Sequence, residues 1–162
     1  MPEPGSLNKD PGKYFIPLPI EDLFKPFVLR GLTLPNRIVM APMTRNLSPE
    51  GVPGPDVAAY YRRRAEDGVG LIITEGTIVN HTAAGGGPQT PLIYGGKSIA
   101  GWTNVVKEVR AAGGHIMAQL WHLGANANPD FLPGSIKPVR PSGLRKPGEK
   151  VGEPMTQSDI DA

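Results

Sequence analysis

The chain has 162 residues, enough for one domain with a real core and too few for two large ones. Lys and Arg number 17 against 15 Asp and Glu, a net charge of +2, so no whole-protein field draws nucleic acid or an anionic membrane. The absence of cysteine excludes disulfides, thiolate metal ligands and a cysteine nucleophile. No apolar run approaches the ~20 residues that cross a bilayer, and the polar, Pro/Gly-rich start from Met1 to Lys13 is no secretory signal; a cytoplasmic location is the expectation.

Gly (21) and Pro (19) concentrate in 1–19, 48–55, 85–96 and 124–154, with compact apolar segments between them, so the chain reads as a folded protein with long loops. Residues 1–21 read as a strap. A hairpin follows, with Pro26–Leu29 and Thr33–Leu34 flanking a glycine turn at Arg30–Leu32. Arg37–Met43 is an almost unbroken apolar run, which suits a parallel strand buried on both faces. Pro55–Asp67 carries a helical stripe of Val57, Ala58, Tyr61 and Ala65, closed by Gly68. A second buried strand is expected over Val69–Thr74. A second helix is expected over Ser98–Ala112, with Ser98 as N-cap and Gly113–Gly114 as its stop. His115–Trp121 reads as a third strand. A Pro/Gly-rich stretch of about thirty residues leads to the first turn of a third helix at Met155–Ala162.

Alternating β and α segments argue for a parallel sheet. No GxGxxG follows the first strand and no GxxxxGK[ST] occurs, so both the dinucleotide and the P-loop phosphate devices are missing. A (β/α)8 barrel needs about 250 residues, and three β/α units would be under half of one. The fold class is therefore α/β: a partial (β/α)8 TIM barrel, with an N-terminal hairpin, about the first three strands and two helices. Stopping inside a helix start is what a fragment would show.

Functional residues of barrels sit at the C-terminal ends of strands. Here those ends are Pro42-Met43-Thr44-Arg45, Glu75-Gly76-Thr77 and Gln119-Leu120-Trp121-His122. Thr44 and Gln119 offer the hydroxyl and amide that suit a ring with alternating C=O and N–H groups. Gly76 would admit a flat ring against the backbone, and Trp121 offers an apolar wall. His122 reads as a structural, hydrogen-bonded histidine. His81 lies in a polar loop with no partner at metal spacing, so no metal site is expected. Arg62–Arg64 reads as a solvated helix end and Gly85–Gly87 as a flexible loop.

The runs LTLPNRIVMAPMTR (32–45), GLIITEGT (70–77), GW (101–102) and GGHIMAQLWHLG (113–124), in this order, resemble the N-terminal half of the Old Yellow Enzyme family. The resemblance covers about residues 22–162 and implies the N-terminal part of an FMN-binding barrel. It implies an FMN-dependent oxidoreductase that takes reducing equivalents from NAD(P)H. Such an enzyme reduces activated C=C bonds of α,β-unsaturated carbonyl or nitro compounds, an enone-type small molecule. It further implies that Pro42 and Met43 contact the flavin through backbone, and that the Thr44 hydroxyl bonds the flavin C4 oxygen. Gly76 would pack under the ring, Gln119 would bond the pyrimidine edge, and Trp121 would line the substrate pocket. The family's substrate-anchoring His/His or His/Asn pair, its proton-donating Tyr and its phosphate-binding loops lie on later strands, so this stretch carries no catalytic residue of its own and its partner would be the missing half of the barrel. Ala125 stands where members commonly have Arg, and Gly85–Gly87 where a tyrosine is frequent. Thr44 rather than Cys fits the classical branch. On its own the chain is expected to be inactive; the alternative is a non-catalytic partial barrel that associates with a companion chain or with itself.

Overall fold

Arg30 and Gly31 both take positive φ (46° and 86°), the backbone of a two-residue turn whose twist matches a right-handed strand pair. They close an antiparallel hairpin of β1 (Phe27–Leu29) and β2 (Leu32–Leu34). The structure is a computed structural model and describes residues 20–152 and 154–161. The expected strap therefore falls almost wholly outside the described residues; Ile20–Phe24 form a 3-10 turn, pinned where the Arg37 N–H donates to the Leu23 carbonyl (2.7 Å).

Three strands form one parallel sheet in the order β3 (Val39–Met40), β4 (Leu71–Ile78), β5 (Ile116–Trp121). Two helices connect them, α1 (Pro55–Glu66) and α2 (Gly96–Ala111). Pro55 starts α1 where its missing N–H costs nothing. Val57, Ala58, Tyr61 and Ala65 from α1 meet Trp102, Val105 and Val109 from α2 and Ile72 from the middle of β4, and these side chains make the core. Such residues are worth roughly 1.5–3 kcal/mol each when fully buried. Asn36 ties the start of β3 to the end of α1: its amide donates to the Gly68 carbonyl (2.7 Å) while its Oδ1 accepts from the Ile38 N–H (3.0 Å). Gly68 makes that turn at φ 83°, as expected for the residue closing α1.

Several expectations are corrected. The run 37–43 forms only a two-residue strand, and it is not buried on both faces: Val39 is 46% and Met43 59% exposed. The helices cover one side of the sheet only, β3 is an edge strand, and Pro42 has no N–H to extend the ladder. Strand β4 runs to Ile78, so Glu75, Gly76 and Thr77 lie inside the strand rather than beyond it. Helix α2 starts at Gly96, and Ser98 is no cap. It is buried inside the helix, donating its hydroxyl to the Gly51 carbonyl (3.0 Å). The stretch after β5 is not one long loop. It holds 3-10 turns at Gly124–Asn126 and Pro129–Phe131 and a small hairpin of β6 (Leu144–Lys146) and β7 (Glu149–Lys150). Helix α3 spans Gln157–Asp161. No helix among the described residues is long and apolar enough to cross a membrane.

Candidate functional site

Parallel strands point their C-terminal ends the same way, so the segment after β3, the end of β4 and the end of β5 meet at one edge of the sheet. A bulge shapes this edge. Between the pairs Ile73–Met117 and Gly76–Gln119, β4 advances three residues while β5 advances two. The extra residue interrupts the ladder, and two threonines repair it. The Thr74 hydroxyl accepts from the Gln119 N–H (3.1 Å), and the Thr77 hydroxyl donates to the Gln119 carbonyl (2.8 Å). Both threonines are buried. The Gln119 backbone is therefore clamped from both sides, while its carboxamide has no hydrogen-bond partner among the described residues.

Gln119 and Trp121 share a face of β5, since strand side chains alternate. The Trp121 indole lies directly over Gly76, and a Cβ at Gly76 would overlap the ring. The flat ring that Gly76 admits is thus supplied by the chain's own Trp121. Trp121, Thr44, Asn46, Thr90, Gly86 and Phe131 line a cavity of about 440 Å³. Thr44 is exposed, and its hydroxyl, like the Gln119 amide, has no partner among the described residues. Pro42 is half-buried and Met43 exposed in the same segment. Gly85 and Gly86 (φ 80° and 106°) pack against Ala127 and Ile78, whereas a Cβ at Gly87 would meet nothing closer than Phe131 at 3.5 Å.

Glu75 occupies the bulge and is 1% exposed. Its carboxylate accepts from the Arg45 backbone N–H (3.2 Å), from Arg45 Nε (3.1 Å) and from Arg45 Nη2. The Tyr61 hydroxyl donates to it at 3.4 Å and accepts the Glu75 N–H at 2.9 Å. The Arg45 guanidinium stacks over Tyr60, 3.9 Å from the ring centre, a favourable cation–π arrangement. Burial, with the Glu75 charge beside it, pushes the Tyr61 phenol up to about 12, against the pull of the Glu75 N–H and Arg45. Tyr61 therefore stays a neutral donor. Sequence reasoning missed this cluster and the two threonines. The available signal was a lone Glu in an otherwise apolar and small-residue run, which in a buried strand demands a partner.

His81 and His122, 41 positions apart, are brought together with His122 Nε2 3.0 Å from His81 Nδ1. Spacing along the chain gave no sign of this pair, which only the fold brings together. The Gly124 N–H donates to His122 Nδ1 (3.1 Å) and the Ala83 N–H to His81 Nδ1 (3.2 Å). Since His81 Nδ1 and His122 Nδ1 both accept from backbone N–H groups, His122 Nε2 is the donor in the contact between the rings. Burial, and then the neighbouring His81, hold His122 below the usual imidazole range. The unfolded chain thus binds the proton more readily, so this contribution to stability is complete above about pH 6.5 and is lost as pH falls through the lower folded value. The urea midpoint should fall between about pH 7.5 and 5 in the wild type, and fall less in His122→Asn. Equal slopes would exclude the histidine pair as the cause.

A layer of helices on a parallel sheet, with polar side chains that have no partner among the described residues at the strand ends beside an apolar wall, is the arrangement in which β/α folds commonly place small-molecule sites. The chain matches the NADH:flavin oxidoreductase / NADH oxidase family over residues 22–162, and it belongs to that family. It is 41% identical over 117 residues to 12-oxophytodienoate reductase 7 of Oryza sativa subsp. japonica, covering 72% of this chain and 29% of that protein. It is 38% identical over 156 residues to flavin oxidoreductase hxnT of Emericella nidulans, covering 88% and 39%. Among solved structures it superimposes on morphinone reductase in complex with tetrahydroNAD with a TM-score of 0.78 and 37% identity, covering 86% of this chain and 42% of that one. The old yellow enzyme homologue from Zymomonas mobilis follows at 0.76 and 32%, covering 86% and 41%. The chain thus spans about 30–40% of the length of these relatives.

Proposed function

We propose that residues 22–162 form the N-terminal part of an FMN-binding barrel, and that they supply one wall of the FMN site of an oxidoreductase. The complete protein would reduce activated C=C bonds of α,β-unsaturated carbonyl or nitro compounds, with NAD(P)H as reductant. Family membership supports the chemistry. The observation that carries the site is a pair of groups without a hydrogen-bond partner among the described residues, the Thr44 hydroxyl and the Gln119 carboxamide, at the same edge of the sheet. The residues fit a flavin ring: a hydroxyl and an amide can serve its carbonyl and N–H edges, and Trp121 walls the adjoining cavity. Pro42 and Met43 would contact the ring through backbone. Gly76 would serve it indirectly, by letting Trp121 lie flat. When bound, reduced FMN supplies the hydride; these residues orient the ring and exclude water from one side.

The nearest cation in sequence, Arg45, is committed to Glu75 and is not free to hold a phosphate. The chain on its own is therefore expected to bind FMN weakly and to show negligible turnover. Titration of FMN fluorescence tests the site. Saturable quenching is expected, and Thr44→Val and Gln119→Ala should each raise Kd by about 3–10-fold, one hydrogen bond's worth. Identical curves for all three chains would remove both residues from the site.

A second reading is a non-catalytic partial barrel that associates with a companion chain or with itself. Exposed Met117 (52%) and Leu120 (63%) on β5 favour it, as does the edge of that strand that is unpaired among the described residues. A monomer whose mass by light scattering is independent of concentration would count against self-association.

A further inference from the structure

We propose that Glu75 is a positioning residue: it holds the segment 42–45 in the conformation that presents Thr44 to the flavin, acting through the backbone N–H of Arg45. The inference rests on the flavin reading above for what Thr44 contacts, but its mechanical part stands on geometry alone.

Beyond the β3–β4 ladder, residues 42–47 make no backbone–backbone hydrogen bond among the described residues; the next is Ser48 N–H to the Gln89 carbonyl (3.1 Å). Two side chains hold the segment instead. The Asn46 Oδ1 accepts from the Thr90 hydroxyl at a long 3.3 Å. The Glu75 carboxylate takes the Arg45 N–H on Oε2 and the guanidinium on Oε1. Arg45 directly follows Thr44, so fixing its N–H fixes the peptide plane that Thr44 enters. The bulge in β4 is what puts Glu75 within reach, because the extra residue between Ile73 and Gly76 interrupts the alternation of side chains. The helix side then locks the pair, with Tyr61 bonded to both ends of Glu75 and Tyr60 stacked on the guanidinium. A buried charge pair is weak evidence for stability, because apolar residues of similar size often serve as well. A carboxylate that accepts a backbone N–H from a segment with so few other ties has a second role that an apolar pair would not fill.

Glu75→Gln separates the two roles. An amide keeps one acceptor oxygen, which the two bonds from the cationic guanidinium hold, and turns its NH₂ toward the Arg45 N–H, so the backbone bond is the one lost. Amide hydrogen exchange on the whole 162-residue chain reads the result. The Arg45 amide should exchange at least about tenfold faster in Glu75→Gln, with the α1 and β5 amides unchanged, which marks local opening rather than global loss. The double variant Arg45→Met/Glu75→Met removes the buried charges altogether and should show the same loosening of 42–46 in a folded chain. Unchanged exchange at 42–46 in either folded variant would overturn the proposal. FMN titration adds the functional arm. Glu75→Gln should weaken FMN binding about fivefold or more in the wild-type background and less than twofold in Thr44→Val, the non-additivity expected of residues acting in series. Additive losses would make Glu75 merely structural and overturn the proposal. If the wild-type chain gives no saturable quenching, the flavin reading fails, while the exchange measurement still decides whether Glu75 holds the segment.

Discussion

Arg45→Ala is expected to lower the unfolding free energy by about 3–5 kcal/mol, the cost of stranding one partner of a buried ion pair. The Glu75 side chain is fully buried and that of Arg45 is 12% exposed, so water does not replace the lost guanidinium. Tyr61 remains as a donor, but its 3.4 Å bond is long and its phenol does not carry charge. The Tyr60 stack is lost as well. A domain whose whole stability is roughly 5–15 kcal/mol has little margin for such a change. Arg45→Met/Glu75→Met, in contrast, should lie within about 1 kcal/mol of wild type or above it, since the desolvation of both charges is removed together. Urea denaturation followed by circular dichroism distinguishes the cases. A single variant as stable as the double would mean that Glu75 is satisfied without Arg45.

Gly76→Ala is expected to cost about 2–3 kcal/mol, within the range for forced overpacking. The added methyl would occupy the space of the Trp121 indole, and since Gly76 sits in a paired strand, the indole rather than the backbone must move. Trp102 is buried in the helix core and serves as the internal reference, so a red shift of emission reports Trp121 entering water. In a Trp121→Ala background the same Gly76→Ala substitution should cost less than about 1 kcal/mol, as coupled neighbours require. An undiminished cost there would show that Gly76 is needed for its backbone and not for the indole. Because Trp121 also walls the cavity beside Thr44, the substitution should reshape that cavity as well.

Much of the architecture was legible in the residue order. The stripes Val57–Ala58–Tyr61–Ala65 and Trp102–Val105–Val109 have helical spacing, and they are the core. Glycines at 31, 68 and 113 occupy turns with positive φ, because a missing Cβ is a local requirement readable from one residue. The family resemblance named Thr44, Gln119 and Trp121, and the sheet brings all three to one edge.

What sequence alone determined about this protein is therefore local and periodic: roughly where the two long helices and the three parallel strands fall, and which face of each helix is apolar. Tertiary structure decided the rest. The β4 bulge, the threonine clamp on Gln119, the Arg45–Glu75 pair across 30 positions and the His81–His122 contact across 41 all depend on register and on how strands lie side by side. Pairing register is set by the packing of whole faces and the hydrogen-bond ladder together, and no spacing along the chain encodes it. For the same reason Glu75 read as an ordinary strand-end polar residue in one dimension, and became the anchor of the Thr44 segment only when β4 delivered it beneath Arg45.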